Sequence, residues 1–431
     1  MSVGVQRLRE ESDLIRQGAI DKGEDPAVVD RALGLDERRR ALLAEGDGLK
    51  SERNASSKRI GEAIRGGADP NGPDVADLKA ASTQVGERIT AIDRELAAIE
   101  AELNDALLRI PNPADPDVPV GGEEANQVVR TWGEPLPRQG RRPHWELGEE
   151  LGMIDLARGA KVSGSGFPIY VGAGSALQRA LINWFLDVHT AEHGMTELWP
   201  PALVNATSAT GTGQIPDKED QMYVVTRDEL YLVPTAEVPV TNMHRDEILD
   251  AEALPIRYAA YSPSFRREAG AAGRDTRGIL RVHQFDKVEM VSFVAPGDSE
   301  AELEWLTERA EVLLQRLGLA YRVVLMSTRE MGFVHARKYD LEVWAPGVEH
   351  WLEVSSVSNF RDYQARRMAI RHRPEAGARP ELLHTLNGSG LALPRTVAAL
   401  LETHQQPDGS ILVPEPLRPY LAGRERLGPG R

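Results

Sequence analysis

The 431-residue chain carries 51 Lys and Arg against 66 Asp and Glu, a formal net charge of −15, and has no cysteine. Disulfides and thiolate metal sites are excluded, and indiscriminate nucleic-acid binding is disfavoured, although a local basic stripe stays compatible with the acidic total. The length suggests two or three domains; the opening MSVGVQRLREESDLIRQ lacks an apolar h-region and no run reaches the ~18 apolar residues of a membrane span, so a cytoplasmic protein with no membrane contact is expected.

Asp25-Pro26 reads as a helix start, with Asp as cap and Pro at the first helical position. From about Leu35 to Arg65 the chain reads as helix. Leu35, Leu42 and Leu49 recur every seven residues, against Gly46 and Gly48, which weaken the helix. Gly66-Gly-Ala-Asp-Pro-Asn-Gly-Pro73 is a turn. In the second helix Leu78, Val85, Ile89, Ile92, Leu96, Ile99 and Leu103 follow the three-and-four spacing of a coiled-coil seam, and Pro111 ends it. At ~1.5 Å per residue each helix would be on the order of 45–50 Å long. An N-terminal domain 1–110 therefore carries an antiparallel coiled-coil hairpin (about 35–110). Such hairpins commonly act as dimerisation coils or spacers. Here a closed polar tip and the scattered cations Arg38, Arg39, Arg40, Lys50, Arg53, Lys58, Arg59 and Arg65 weigh against those roles.

Pro111-Asn-Pro-Ala-Asp-Pro-Asp-Val-Pro119 reads as a stiff linker within 111–143. From His144 to residue 431, helices and β-rich segments alternate without a βαβ rhythm, which favours an α+β domain on an antiparallel sheet. No G-x-G-x-x-G after a strand and no Walker loop occurs, so Rossmann and P-loop nucleotide sites are unsupported.

The stretch Tyr261–Glu289 reads as two strands joined by a glycine-rich loop containing Arg274 and Arg277. Residues two apart in a strand share a face. Arg266 and Glu268 thus point together as the first strand ends, and Arg281, His283, Phe285, Lys287 and Glu289 share one face of the second, opposite Val282, Val288 and Met290. An exposed face of alternating charge is the bland alternative, with Arg266 bridging Glu268. Guanidinium groups fit phosphate oxygens and an aromatic ring holds a flat base, so a nucleotide phosphate site is the better reading. Pro394 starts a helix and places Arg395 in its first turn, where backbone N–H groups and the helix dipole favour phosphate. Glu353 and Ser356 have opposite parity, so a regular strand would put them on opposite faces, and only a bulge or strand end between them would bring them together.

These residues resemble motif 2 of the class II aminoacyl-tRNA synthetases, in the wording of the seryl-tRNA synthetases. Other signatures follow in order: Gly213-Gln-Ile-Pro216, Leu232-Val-Pro-Thr-Ala-Glu-Val-Pro239, Asp340-Leu-Glu-Val-Trp344, Glu353-Val-Ser-Ser356, Gln364-Ala-Arg-Arg367, and Asn387-Gly-Ser-Gly390 with Arg395. Leu393-Pro394 stands where the family has a Val-Gly pair. Gly194, Glu197 and Pro200-Pro201 fit motif 1. The resemblance covers nearly the whole chain.

It implies a serine–tRNA ligase that forms seryl-adenylate from ATP and L-serine and charges tRNA(Ser), and tRNA(Sec) where present, through the N-terminal arm. It implies Arg266 on the α-phosphate and Arg395 on the γ-phosphate as catalytic cations, Glu268 on the adenine amino group, and Phe285 stacked on the base. Arg267, Val282, Glu353, Val354, Ser355 and Ser356 complete the ATP set, with Mg2+ on Glu353 and Ser356. Thr235, Ala236, Glu237, Glu289 and Ser389 form the serine set, and a homodimer is expected. Three rivals share the sequence features: an inhibitor-insensitive paralogue of the same activity, an amino-acid:carrier-protein ligase, which would lack the arm, and a non-catalytic RNA-binding relative.

Overall fold

A computed structural model describes residues 4–269 and 277–428. Arg274 lies outside the described residues. The chain divides into two units, one of residues up to Ile20 with Glu24–Pro111, the other of Asp21–Gly23 with Asn112 onward.

In the first unit, helix α1 spans Ala27–Arg65 and α2 spans Pro73–Leu108. At ~1.5 Å per residue they are about 58 and 54 Å long, longer than the heptads alone suggest. The difference lies at the start of α1. The helix begins one residue later than the Asp-Pro reading, at Ala27 with Pro26 in the cap position, and Asp25 Oδ1 accepts from the backbone N–H of Ala27 (2.9 Å). Leu42, Ile92 and Ile99 are buried in the seam with Leu35, Leu49 and Leu96 beside them. Gly46 is tolerated because it packs against Ile92, where a Cβ would meet Cγ2 at 3.5 Å. Across the rod Arg39 pairs with Glu100 (3.0 Å) and Arg88 with Glu45 (2.8 Å). The turn closes through Gly67 at φ 91° and Asp69 Oδ1, which accepts from Asn71 N (2.9 Å).

At the base of the rod Leu103, Ala106, Leu107 and Ile110 pack with Leu8, Ile15, Val29 and Ala32. Beside them Asp36, 1% exposed, receives Arg9 Nε at 2.6 Å and Arg40 Nε at 3.1 Å. A buried carboxylate is tolerable only when paired.

The second unit is built on an eight-stranded sheet. Its strands are β1 (Gln127–Trp132), β2 (Thr196–Leu198), β3 (Ile256–Phe265), β4 (Gln284–Val294), β5 (Tyr321–Leu325), β6 (Arg337–Ala345), β7 (His350–Asn359) and β8 (His384–Ala392). Their order is β1-β5-β6-β7-β8-β4-β3-β2, antiparallel except for the parallel β2–β3 pair at one edge. Helices α3 (Ala173–Asp187), α5 (Ser299–Arg316) and α7 (Leu393–His404) bury their apolar sides with Val288, Met290, Val343, Val354, Val357 and Leu391 of the sheet. Across the sheet, Val291 and Phe293 pack with Val240 of the short helix α4 (Glu237–Thr241) and with Ala365 and Met368 of α6 (Tyr363–Met368). Glu237 of α4 and residues of β4, β6, β7 and β8 line the cleft.

The stretch 111–143 is not only a linker. Asn112 Nδ2 donates to the carbonyls of Val334 (3.0 Å) and Phe360 (2.9 Å), and β1 is the edge strand against β5. Five of its six residues are exposed, which removes the alternation that marks a half-buried strand in a sequence. In the motif 1 region Gly194, at φ 68°, turns the chain from α3 into β2, and Pro200-Pro201 follows that strand.

Arg9 holds the Asp36 carboxyl below its ordinary range by hydrogen bonding, against the cost of burial, with Arg40 adding to the effect. A carboxylate whose folded pKa is depressed stabilises the fold above its unfolded pKa (~3.9) and ceases to do so as pH falls through the folded value. Arg9→Ala should therefore lower the thermal midpoint of the first unit at neutral pH. The gap to wild type should close below the ordinary carboxylate range, as read by circular dichroism melts across pH; a gap independent of pH would show that the ion pair does not carry the effect.

Candidate functional site

A cavity of about 710 Å³ opens on the sheet face opposite α3, α5 and α7. Strand parity decides which side chains reach it. On β4, Phe285, Lys287 and Glu289 line the cavity, while Val288 and Met290 enter the helix-covered core. The shared face is shorter than the sequence suggests, because β4 begins at Gln284. Arg281 still lines the cavity. His283 turns away, bonding the Arg266 carbonyl and the Tyr223 hydroxyl (both 3.0 Å) and stacking on Phe167.

Arg266 follows the last residue of β3, held by its backbone N–H on the His283 carbonyl (2.9 Å), with its guanidinium 5.1 Å from the Phe285 ring centroid. Its Nε donates weakly to the Pro234 carbonyl (3.4 Å). Glu268, at φ 50°, pairs with Arg281 and not with Arg266, so the bland ion pair does not form. Arg267 does not line the cavity; its Nη1 donates to the Asp220 carbonyl (2.9 Å).

Glu289 lies directly across the β4–β8 ladder from Ser389. Thr235 Oγ1 donates to Glu289 Oε2 (3.1 Å), and Lys287 forms an ion pair with the same carboxylate. Glu237, at the start of α4, lines the same end of the cavity and accepts from Gln364 Nε2 at 2.6 Å. Burial, reinforced by Glu289, pushes the Glu237 carboxyl up to about 7. Ala236 is buried as the residue preceding α4 and is not among the cavity-lining side chains. Ser355 Oγ bonds the Ser389 carbonyl (2.6 Å), tying β7 to β8.

The bulge required between Glu353 and Ser356 is present. Leu341 pairs with Ser355 and Glu342 with Glu353, so Val354 is the extra residue on β7. The Ser356 hydroxyl thereby sits 3.0 Å from Glu353 Oε1 and 2.7 Å from Asp340 Oδ1. Lys338, two residues before Asp340 on β6, reaches its carboxylate at 3.1 Å. Burial pushes Asp340 up to about 7 against the pull of Lys338. At Glu353 desolvation is outweighed by Lys338 and then Arg395, which hold the carboxyl down at about 2. Lys338, His335 and Lys218 also line the cavity. The sequence reading misses them; the one available signal was the common parity of Lys338 and Asp340.

Arg395 lies in the first turn of α7, its Nε on the Leu280 carbonyl (3.1 Å) and its Nη1 on the Glu353 carbonyl (3.0 Å), 3.6 Å from the Glu353 carboxylate. The same helix ends in a clamp. Buried Glu402 accepts from His144 Nδ1 (2.8 Å) and from the backbone N–H groups of His144 (2.9 Å), Gly347 (2.7 Å) and Val348 (3.1 Å). His144 Nε2 in turn accepts from Ile279 N (3.3 Å), next to the Leu280 that buttresses Arg395.

The cavity thus joins a cationic, aromatic end to a compact end of two carboxylates and two hydroxyls. Residues 223–404 match the family model for the tRNA synthetase class II core domain (G, H, P, S and T), and residues 4–114 match that for the seryl-tRNA synthetase N-terminal domain. The serine–tRNA ligase of Thermomicrobium roseum is 55% identical over 98% of this chain and 94% of its own length, and that of Gemmatimonas aurantiaca 51% over 97% and 98%. The crystal structure of the seryl-tRNA synthetase from Pyrococcus horikoshii complexed with ATP matches with a TM-score of 0.93 at 37% identity, covering 100% of both chains. The chain belongs to the seryl-tRNA synthetases, ATP-dependent ligases of serine and tRNA.

Proposed function

We propose that this chain activates L-serine in the cavity between β4, β7 and β8 and passes it to tRNA(Ser), and to tRNA(Sec) where present, through the hairpin. One observation carries this reading. The Glu289–Ser389 pair and the Arg266–Phe285 pair lie on one cavity wall, so amino acid and nucleotide meet without rearrangement of the sheet. Phe285 stacks the base, Glu268 accepts from its amino group, and Arg395 takes the γ-phosphate. The serine carboxylate attacks the α-phosphorus in line, pyrophosphate leaves, and Arg266 neutralises the charge that grows on the α-phosphate oxygens. The terminal ribose hydroxyl of the tRNA then attacks the mixed anhydride and releases AMP. Rate comes from placement and fixed charge, with no covalent enzyme intermediate.

Thr235, Glu237, Glu289 and Ser389 hold serine. Buried carboxylates take its ammonium and hydroxyl between them, and an analogue without the hydroxyl would leave a buried acceptor unpaired. Mg2+ belongs to the proposal. Glu353, held ionised, and the adjacent Ser356 hydroxyl fit a cation that takes one or two protein oxygens and completes its shell with phosphate and water; when bound it neutralises triphosphate charge. A homodimer and a cytoplasmic location enter through family membership. The hairpin speaks against a carrier-protein ligase.

Arg266→Ala should leave the melting temperature near wild type and lower serine-dependent ATP–pyrophosphate exchange roughly 100- to 1,000-fold in kcat. Near-normal exchange in a folded variant would remove Arg266 from this role.

Glu237, raised to about 7, is neutral below that pH and ionised above it. kcat/KM for serine should rise as pH increases through about 7 while KM for ATP stays nearly flat. A serine profile flat from pH 6 to 8 (a range around about 7) would remove the ionised Glu237 from serine recognition.

The hairpin and the chemistry should separate. Replacing the whole of residues 35–110 would strip Leu103–Ile110 from the cluster around Leu8 and Ile15, so the cut belongs further out. By the register of Arg39 with Glu100 and Arg88 with Glu45, Lys50 and Val85 stand near one level, and residues 51–84 can be replaced by a short turn. The trimmed protein should retain pyrophosphate exchange within about twofold and lose most tRNA charging. Charging at the wild-type rate would make the rod a spacer.

A further inference from the structure

Behind the proposed serine pocket runs a chain of buried polar groups to which none of the roles above is assigned. Gln364 on α6 is 1% exposed and Thr385 on β8 is fully buried. Gln364 Nε2 donates to Glu237 Oε1 at 2.6 Å and to the Thr212 carbonyl at 3.3 Å, while its Oε1 receives the Thr385 hydroxyl at 2.7 Å. The amide has one orientation. A backbone carbonyl can only accept, so the NH2 must face Thr212, with Glu237 on the same side, and the oxygen must face Thr385. Thr385 and Ser389 stand opposite Phe293 and Glu289 in an unbroken register, so β8 presents both on one face. The strand that carries one serine contact therefore also sets the amide behind another.

We propose that Gln364 is a positioning residue for amino-acid recognition, holding one oxygen of Glu237 so that the other stays aimed at the substrate. The proposal rests on the reading of Glu237 as part of the serine pocket. Among the described residues Glu237 Oε2 has no hydrogen-bond partner, as an acceptor reserved for a ligand requires. Without the amide the Glu237 side chain loses its fixed rotamer, and its charged form loses a donor. Glu289 raises the Glu237 pKa further, while Lys287, Gln364 and Lys218 oppose the rise. Deleting the donor should therefore shift the serine pH profile upward.

The test uses the full chain in pyrophosphate exchange, with KM measured separately for serine and ATP. Gln364→Leu should raise KM for serine roughly 10- to 100-fold, leave KM for ATP within about twofold, and move the midpoint of kcat/KM for serine to higher pH. Thr385→Val keeps the shape and removes only the hydroxyl that orients the amide; it should shift serine KM the same way by a smaller factor. It decides the matter if Gln364→Leu does not fold. An unchanged serine KM, or equal losses for both substrates, would make Gln364 a packing residue and overturn the proposal. Glu237→Gln separates the two levels. If it raises serine KM while the Gln364 and Thr385 variants do not, only the positioning role falls; if it leaves serine KM unchanged, the pocket assignment falls with it.

Discussion

Strand β4 has to satisfy two demands at once. Its even positions, Val288, Met290 and Val294, seal the sheet against three helices, while Phe285, Lys287 and Glu289 bring a ring, a cation and a carboxylate to the cleft. A slip of one residue would exchange these sets, exposing apolar side chains and burying charge without partners. The register is therefore over-determined, by β3 along one side and β8 along the other. That rigidity fixes Glu289 and Ser389 opposite each other in the cavity wall.

The charges in the cleft are placed so that each limits its neighbour. Lys287 reaches the Glu289 carboxylate, Lys338 reaches that of Asp340, and Arg395 stands beside Glu353. Burial pushes Glu237, in the cavity wall, and Asp340, behind Ser356, towards neutrality, while Glu353, on the same Ser356 hydroxyl as Asp340, is kept ionised by the cations around it. In the proposed reading a polyanion and a zwitterion enter together, and unequal carboxylates suit them, since uniformly ionised ones would repel the triphosphate.

Much of this was legible in the chain itself because parity and heptads are local. The seam from Ile89 to Leu103 and the cleft face from Phe285 to Glu289 follow from periods of 3.5 and 2, the placement of Arg395 from Pro394 at the helix start, and the bulge from the family resemblance that brings Glu353 and Ser356 together against their parity. What was hidden depends on pairing across long separations. The exposed edge strand Gln127–Trp132 has no alternation to betray it and is defined by Tyr321–Leu325 almost two hundred residues away. Lys338 and His335 become site residues only when β6 lies beside β7, and Gln364 acquires meaning only through Thr385 and Glu237. Arg281 and His283 were assigned to a strand whose first residue is Gln284; a carbonyl and a tyrosine hydroxyl then draw His283 away from the cleft.

Helix α7 fastens both of its ends, Arg395 at one and Glu402 at the other, and the two are joined again through His144, Ile279 and Leu280. An α-helix turns by about 100° per residue. One residue inserted or deleted between Pro394 and Glu402 would swing the carboxylate a quarter-turn off His144 and strand it in the core, with the backbone N–H groups of Gly347 and Val348 left unpaired. Substitutions along this helix leave that geometry in place, whereas a change in its length does not. Variation in this part of the fold should be written in substitutions, with insertions and deletions confined to the loops on either side.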